Sequence, residues 1–188
     1  MEPKQATVLS AALTGFSELS ERITVQEFND LLEKYFEITR SIIKLHKGDL
    51  SSFSGEVFIA VFAADGSLTS PELLAMEAVF ELRDKVSGFR SERELPDSIH
   101  FKAGLSMGEA ILGEIGSGEN RQVKVMGKAA GYAGRLREFA EEGQVLADGA
   151  MERKARERFE FRKLESSGFD LQEDANDEYG IKSDAPAA

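Results

Sequence analysis

Residues 99–136 read IHFKAGLSMGEAILGEIGSGENRQVKVMGKAAGYAGRL. A glycine-spaced pattern runs through Gly104, Ser106, Gly108, Glu109, Gly113, Ile115, Gly116 and Ser117. Turns and close backbone approaches both call for such glycines. The spacing predicts a hairpin of two strands, Ile99–Ser106 and Glu109–Leu112. A polar loop over 116–122 follows, then a short strand Val123–Met126 and a helix Lys128–Phe139 with Tyr132, Leu136 and Phe139 turned inward.

Upstream, the apolar run Ala6–Leu13 predicts a first strand, closed by Gly15. A long helix starts at Thr24, which with Glu27 makes a capping box. Phe28, Leu31, Leu32, Tyr35, Ile38, Ile42 and Leu45 recur at helical spacing until Gly48 supplies a stop. Strands Asp49–Ser54 and Val57–Phe62 reverse at Gly55 and Glu56. Ser70 and Pro71 open a second helix through Leu74, Ala78, Val79, Leu82 and Val86. Ser87–Asp97, polar and containing Pro96, predicts a connection. Downstream come a strand Val145–Ala147, a charged helix capped by Asp148, and closing strands at Phe159–Leu164 and Tyr179–Ile181. The acidic stretch Glu173–Glu178 predicts a loop.

The opening order of strand, helix, two strands, helix, strand matches the split ferredoxin-like arrangement. The fold class expected is therefore α+β, an antiparallel sheet with helices on one face. At 188 residues the chain suits one well-cored domain over 1–188. With 41% hydrophobic and 30% charged residues it has a globular composition. The formal charge of -11 repels polyanions, so nucleic acid is not expected as a partner. There is no cysteine, which excludes disulfides, zinc-thiolate sites and thiol nucleophiles. Met1–Ala6 has no apolar signal core, and no run approaches the roughly 18 apolar residues of a membrane span. A cytoplasmic location is expected.

Taken in order, several of these pieces resemble the class III nucleotidyl cyclase catalytic domain. Gly15, Phe16 and Ser17 stand where that family carries a Gly-Phe-Thr turn, and Gly55-Glu56 where it carries Gly-Asp. The stretch from Gly104 to Ser117 is the closest match, and Val125, Met126, Gly127, Ala133, Arg135 and Leu136 align without gaps to the next motif. The resemblance covers about residues 5–165, leaving 166–188 as a C-terminal extension that holds the expected closing strand.

The resemblance implies a reaction in which the ribose 3'-hydroxyl of ATP or GTP attacks the alpha-phosphate and expels pyrophosphate. Two metal ions held by two aspartates assist it. In this chain the first aspartate position is Ala12, which has no ligand atom, and the second is Glu56. The base-reading lysine position is Ser52 and its acidic or threonine partner is Lys124. The ribose-orienting asparagine position is Gly131. Arg135 alone matches, in the place of the arginine that stabilises the transition-state phosphate. Losing one such electrostatic group typically costs about 2.7–4 kcal/mol of barrier. No cofactor is expected, and magnesium or manganese only if an active cyclase survives.

Plain structural readings stand beside these. Glu56 also reads as a turn residue, Arg135 as a partner for Glu138 or Glu141, and Gly15–Ser17 as a strand-to-helix turn rather than a phosphate cradle. His46, near a helix C-terminus, and His100, in a strand, do not suggest a catalytic base. Lys124 and Lys128 put positive charge near the former nucleotide pocket.

Three functions follow from these positions. The first is a degenerate cyclase-homology domain with a regulatory or interaction role in signalling. As the family pairs, it would form a head-to-tail homodimer or a heterodimer with another cyclase domain. The second is a nucleotide or phosphate sensor using Gly15, Phe16, Ser17, Lys124, Lys128 and Arg135. The third is a divergent active cyclase recruiting Glu18 or Asp65 as metal ligands.

Overall fold

The computed structural model describes residues 3–64, 69–115, 122–164 and 178–182. In chain order they form β1 (Pro3–Thr14), α1 (Phe16–Ser20), α2 (Val25–Leu45), β2 (Asp49–Ser54), β3 (Val57–Ala63), α3 (Pro71–Glu92), β4 (His100–Ile115), β5 (Gln122–Met126), α4 (Lys128–Phe139), β6 (Val145–Asp148), α5 (Gly149–Ala155), β7 (Glu160–Lys163) and β8 (Glu178–Lys182). The strands make one mixed sheet in the order β2-β3-β1-β4-β6-β8-β7, with β5 pairing β4. All neighbours run antiparallel except β4 and β6. The α+β class is as expected, and β7 and β8 fall on the two expected closing strands. Of the expected loops 116–122 and 173–178, residues 116–121 and 173–177 lie outside the described residues, as does Asp65, while Gln122 opens β5 and Glu178 opens β8.

β1 explains its own composition. From Ala6 to Leu13 every residue is buried, so a run interrupted only by the small polar Thr7 and Ser10 replaces the alternation of a half-exposed strand. Leu9, Ala11 and Leu13 join the larger core with Phe16, Tyr35, Ile43, Phe58 and Met76. Ala6 and Val8 face the other way, into a smaller cluster with Val61, Ala110, Val123, Ala129 and Ala133. Helices on one face therefore hold for α2, α3 and α5, while α4 packs on the opposite face.

The α2 capping box is formed: Glu27 N donates to Thr24 Oγ1 at 3.2 Å and Thr24 N to Glu27 Oε2 at 2.8 Å. The stop differs from expectation. Lys47, not Gly48, takes the left-handed conformation at φ 60. Lys47 N donates to Lys44 O and Gly48 N to Ile43 O, which closes a Schellman motif. Gly48 is needed because a side chain there would meet the Phe62 ring at 2.6 Å.

Three further expectations are corrected. Ile99–Ser106 and Glu109–Leu112 are not a hairpin but parts of β4, whose residues 100–111 pair continuously with β1. The glycines serve close approach there, not reversal: a Cβ on Gly104 would sit 2.3 Å from Ala133 O. α3 runs on through most of the expected connection, because Leu82, Val86 and Phe89 continue its buried face one turn beyond Val86. Pro96 falls after its end. Phe139 is 39% exposed rather than inward, the buried row of α4 passing through Ala129, Ala133 and Leu136 to Ala140.

Candidate functional site

The end of β1 nearest the β2–β3 turn gathers most of the positions singled out in the sequence. Directly opposed residues on neighbouring strands share a face. One row runs Val57–Ala12–Lys102 and the next Ser52–Ile59–Ser10–Gly104. Glu56 joins the first row through its backbone, whose carbonyl accepts a hydrogen bond from Leu13 N at 2.9 Å. The fold thus brings Ala12, Glu56 and Ser52 together. Ala12 is 3% exposed, so the floor at this point is a buried methyl group.

Two cations missed in the sequence stand over that floor. Arg137 on α4 donates from Nη1 to Ser10 Oγ at 3.2 Å and from Nη2 to Glu138 Oε1 at 3.1 Å. Lys102, the cross-strand partner of Ala12, donates from Nζ to the Glu138 carbonyl at 3.3 Å. Neither belongs to a motif. Lys102 becomes relevant only once the β1–β4 register is known, and Arg137 only once Gly104 lets α4 lie close against β4.

Magnesium and manganese take hard oxygen ligands, usually carboxylates. Of the two ligand positions only Glu56 is a carboxylate, and its charge is felt by Tyr35 in the larger core, while the floor at Ala12 offers a methyl beside the Lys102 and Arg137 cations, so the residues present do not fit a two-metal centre. Among the described residues no three His, Asp or Glu side chains cluster to hold a metal. Near Glu56, burial pushes the Tyr35 phenol far above its ordinary value and the Glu56 charge adds to this, while the Tyr35 hydroxyl and Thr39 Oγ1 are both buried with no hydrogen-bond partner among the described residues.

Ser52 and Lys124 also come together, through a residue the sequence reading passed over. β2 bulges between Leu50 and Ser52, leaving Ser51 as the extra residue. Ser51 is 4% exposed, its carbonyl accepts from Lys124 Nζ at 3.0 Å and its Oγ accepts from Val125 N at 3.0 Å. β5 is thereby fastened across the sheet to β2, and the Lys124 ammonium is committed to a backbone carbonyl. Ser51→Ala is expected to lower stability by about 1 kcal/mol, read as a shift of the urea midpoint.

The α4 positions point elsewhere. Ala129 and Ala133 face the sheet, while Gly131 and Lys128 are exposed and a Cβ on Gly131 would meet nothing within 4 Å. Arg135, exposed, lies with its guanidinium 5.3 Å from the Tyr132 ring centroid, and Glu138 is taken by Arg137 instead. These three positions are not brought onto the floor that holds Ala12 and Glu56.

The Gly15–Ser17 turn is decided by packing. Gly15 has φ 91, and a Cβ there would sit 2.3 Å from Ser98 O. Phe16 is a core residue at 1% exposure, Ser17 is exposed, and the α1 helix that follows has only five residues. Both histidines are paired with acids, His46 Nε2 at 2.8 Å from Glu81 Oε2 and His100 Nε2 at 2.9 Å from Glu142 Oε2.

Residues 2–175 match the family model described as the adenylate and guanylate cyclase catalytic domain. Adenylate cyclase 1 of Rhizobium meliloti is 24% identical over 165 residues, which are 86% of this chain and 25% of that protein. An uncharacterised protein of Mycobacterium tuberculosis is 26% identical over 139 residues, 74% of this chain and 25% of that one. The chain thus spans about a quarter of the length of these curated relatives.

Among solved structures, the adenylyl cyclase CyaB of P. aeruginosa superposes with a TM-score of 0.84 at 19% identity, covering 98% of this chain and 96% of that one. The guanylate cyclase domain of RhGC from Catenaria anguillulae, solved with GTP, superposes at 0.82 with 16% identity over 97% and 98%. Both likenesses concern the fold. With the family model matched along nearly its whole length, this chain belongs to the adenylate and guanylate cyclase catalytic-domain family.

Proposed function

We propose that this domain keeps the cyclase scaffold without its chemistry and acts as a regulatory or interaction module. It would pair head to tail with a second copy or with another cyclase domain. The observation that carries this is the row Val57–Ala12–Lys102: a buried methyl stands at the first aspartate position, with a lysine directly across from it. A triphosphate brings negative charge that two divalent ions would have to neutralise and hold in line. One carboxylate cannot bridge both ions, and the Lys102 and Arg137 charges would repel them.

The former base-reading positions support the same reading. A lysine at 124 that spends its ammonium on the Ser51 carbonyl presents no acceptor to a purine edge. Gly131 has no side chain to orient a ribose. The exposure of Arg135 on α4, away from the floor, supports a role toward a partner chain rather than its own cleft. A guanylyl cyclase domain of similar fold, from RhoGC of Blastocladiella emersonii, is named as a non-canonical dimer, which supports pairing of such domains but not its head-to-tail geometry. Among the described residues no helix is long and apolar enough to cross a membrane.

A nucleotide or phosphate sensor is the second reading, favoured by the exposed Lys128 and Arg135. A divergent active cyclase is the third; of its two candidate ligands, Glu18 lies exposed on α1. The test is product formation by purified protein with ATP or GTP and magnesium or manganese. No cyclic AMP or cyclic GMP above the no-enzyme control is expected. Product that disappears in Glu56→Ala would establish the active cyclase instead. Thermal titration with the same nucleotides separates the sensor, since a ligand preferring the native state raises its midpoint.

A further inference from the structure

We propose that a cavity between α3 and the start of β4 is a binding site for a small oxyanion, a phosphate or carboxylate compound. It is a different place from the nucleotide cleft. Arg83, Ser87 and Arg90 line one wall, spaced four and three apart and so on one stripe of α3. His100 and Phe101 of β4 and the turn at Gly143 line the other, around a volume of about 250 Å³. That is slightly below the range of roughly 300–1,000 Å³ usual for drug-sized ligands, and suits a small acid or phosphate ester better than a nucleoside triphosphate.

The charge of this cavity runs against that of the chain. Acidic residues outnumber basic ones 34 to 23 overall, yet here two guanidinium groups and an imidazole meet one lining carboxylate, Asp84. The acids that hold these bases are at the surface. Arg83 Nη2 lies 3.1 Å from Asp84 Oδ1, but the Asp84 side chain is 67% exposed. His100 Nε2 lies 2.9 Å from Glu142 Oε2, whose side chain is 71% exposed. Such exposed pairs are weak and exchangeable. Arg90 donates from Nη1 to the Ile99 carbonyl at 3.4 Å, which directs the side chain toward β4 and leaves most of its five N–H donors for a ligand. Planar guanidinium groups suit the paired oxygens of phosphate and carboxylate. The floor beneath is apolar, with Phe101 5% exposed, and this strengthens any charge-assisted hydrogen bond made there.

The wall also touches the segment that shapes the cleft. Thr14 Oγ1 donates to the His100 carbonyl at 3.2 Å, and a Cβ on Gly15 would meet Ser98 O. An anion drawing Arg90 and His100 together would therefore brace the junction of β1, β4 and the Gly15 turn.

The test is thermal unfolding of the whole chain with inorganic phosphate or malonate, each against sodium chloride at matched ionic strength. Phosphate, malonate or both should raise the midpoint by about 3–6 °C at ten times the dissociation constant. The arm that responds identifies the chemistry. Arg90→Gln should weaken binding at least tenfold, and Ser87→Asp, at an exposed position that keeps the fold, should abolish it. Arg40→Gln, exposed on α2 and away from both regions, should leave it unchanged. No rise beyond the chloride control overturns the proposal, as does a rise that survives both Arg90→Gln and Ser87→Asp.

Discussion

Gly104→Ala is expected to destabilise the protein by about 3 kcal/mol, lowering the thermal midpoint by about 6–12 °C. The new methyl would sit 2.3 Å from Ala133 O and 2.5 Å from Arg137 N, both backbone atoms of α4 that no rotamer change can move. The helix itself must shift away from β4, opening the small cluster formed by Ala129, Ala133, Ala6 and Val8. Gly131→Ala provides the contrast within the same helix. Its methyl would meet nothing within 4 Å, so replacing a helical glycine should raise stability by about 0.5–1 kcal/mol. Urea unfolding of the two variants should move the midpoint in opposite directions. Equal effects of one sign would contradict the close approach of α4 to β4.

Asp148→Ala is expected to cost about 3 kcal/mol. This carboxylate, 1% exposed, caps α5 by accepting from Met151 N at 2.9 Å. Its other oxygen accepts from Ser106 Oγ at 2.6 Å and Met107 N at 3.1 Å, joining the α5 cap to β4. Truncation leaves buried donors unmet as well as removing the cap.

The pH dependence has a definite sign. Burial raises the Asp148 carboxyl above its ordinary value, and the hydrogen bonds from Ser106, Met151 and Met107 only partly oppose this. The native state then holds the proton more tightly than the unfolded chain. The stability this group adds is fully present below the unfolded carboxyl range and is lost as pH rises through the native value. The stability gap between wild type and Asp148→Asn should accordingly narrow from acid toward neutral pH in urea titrations. A gap that widens would mean that the hydrogen bonds outweigh burial.

Local signals carried much of the architecture. The Thr24–Glu27 box set the start of α2, Ser70-Pro71 the start of α3, and Gly55-Glu56 the reversal between β2 and β3. The errors arose where a residue's role depends on a partner distant in sequence. Gly104 and Gly108 carry the composition of a turn, yet they lie mid-strand because one admits α4 and both pair with β1. Phe139 lies one position off the buried row of α4, which runs from Leu136 to Ala140, and so stays partly exposed.

The same division holds for the candidate site. That position 12 lacks a ligand atom and position 131 a side chain follows from residue identity, because alanine and glycine have no donor in any fold. That Lys102 and Arg137 stand over Ala12, that Ser51 ties down Lys124, and that Arg83 and Arg90 meet His100 across a cavity was decided only by strand register and helix packing. Side-chain chemistry belongs to the residue, whereas which charges become neighbours depends on contacts among segments tens of residues apart, and pattern along the chain does not encode their registration.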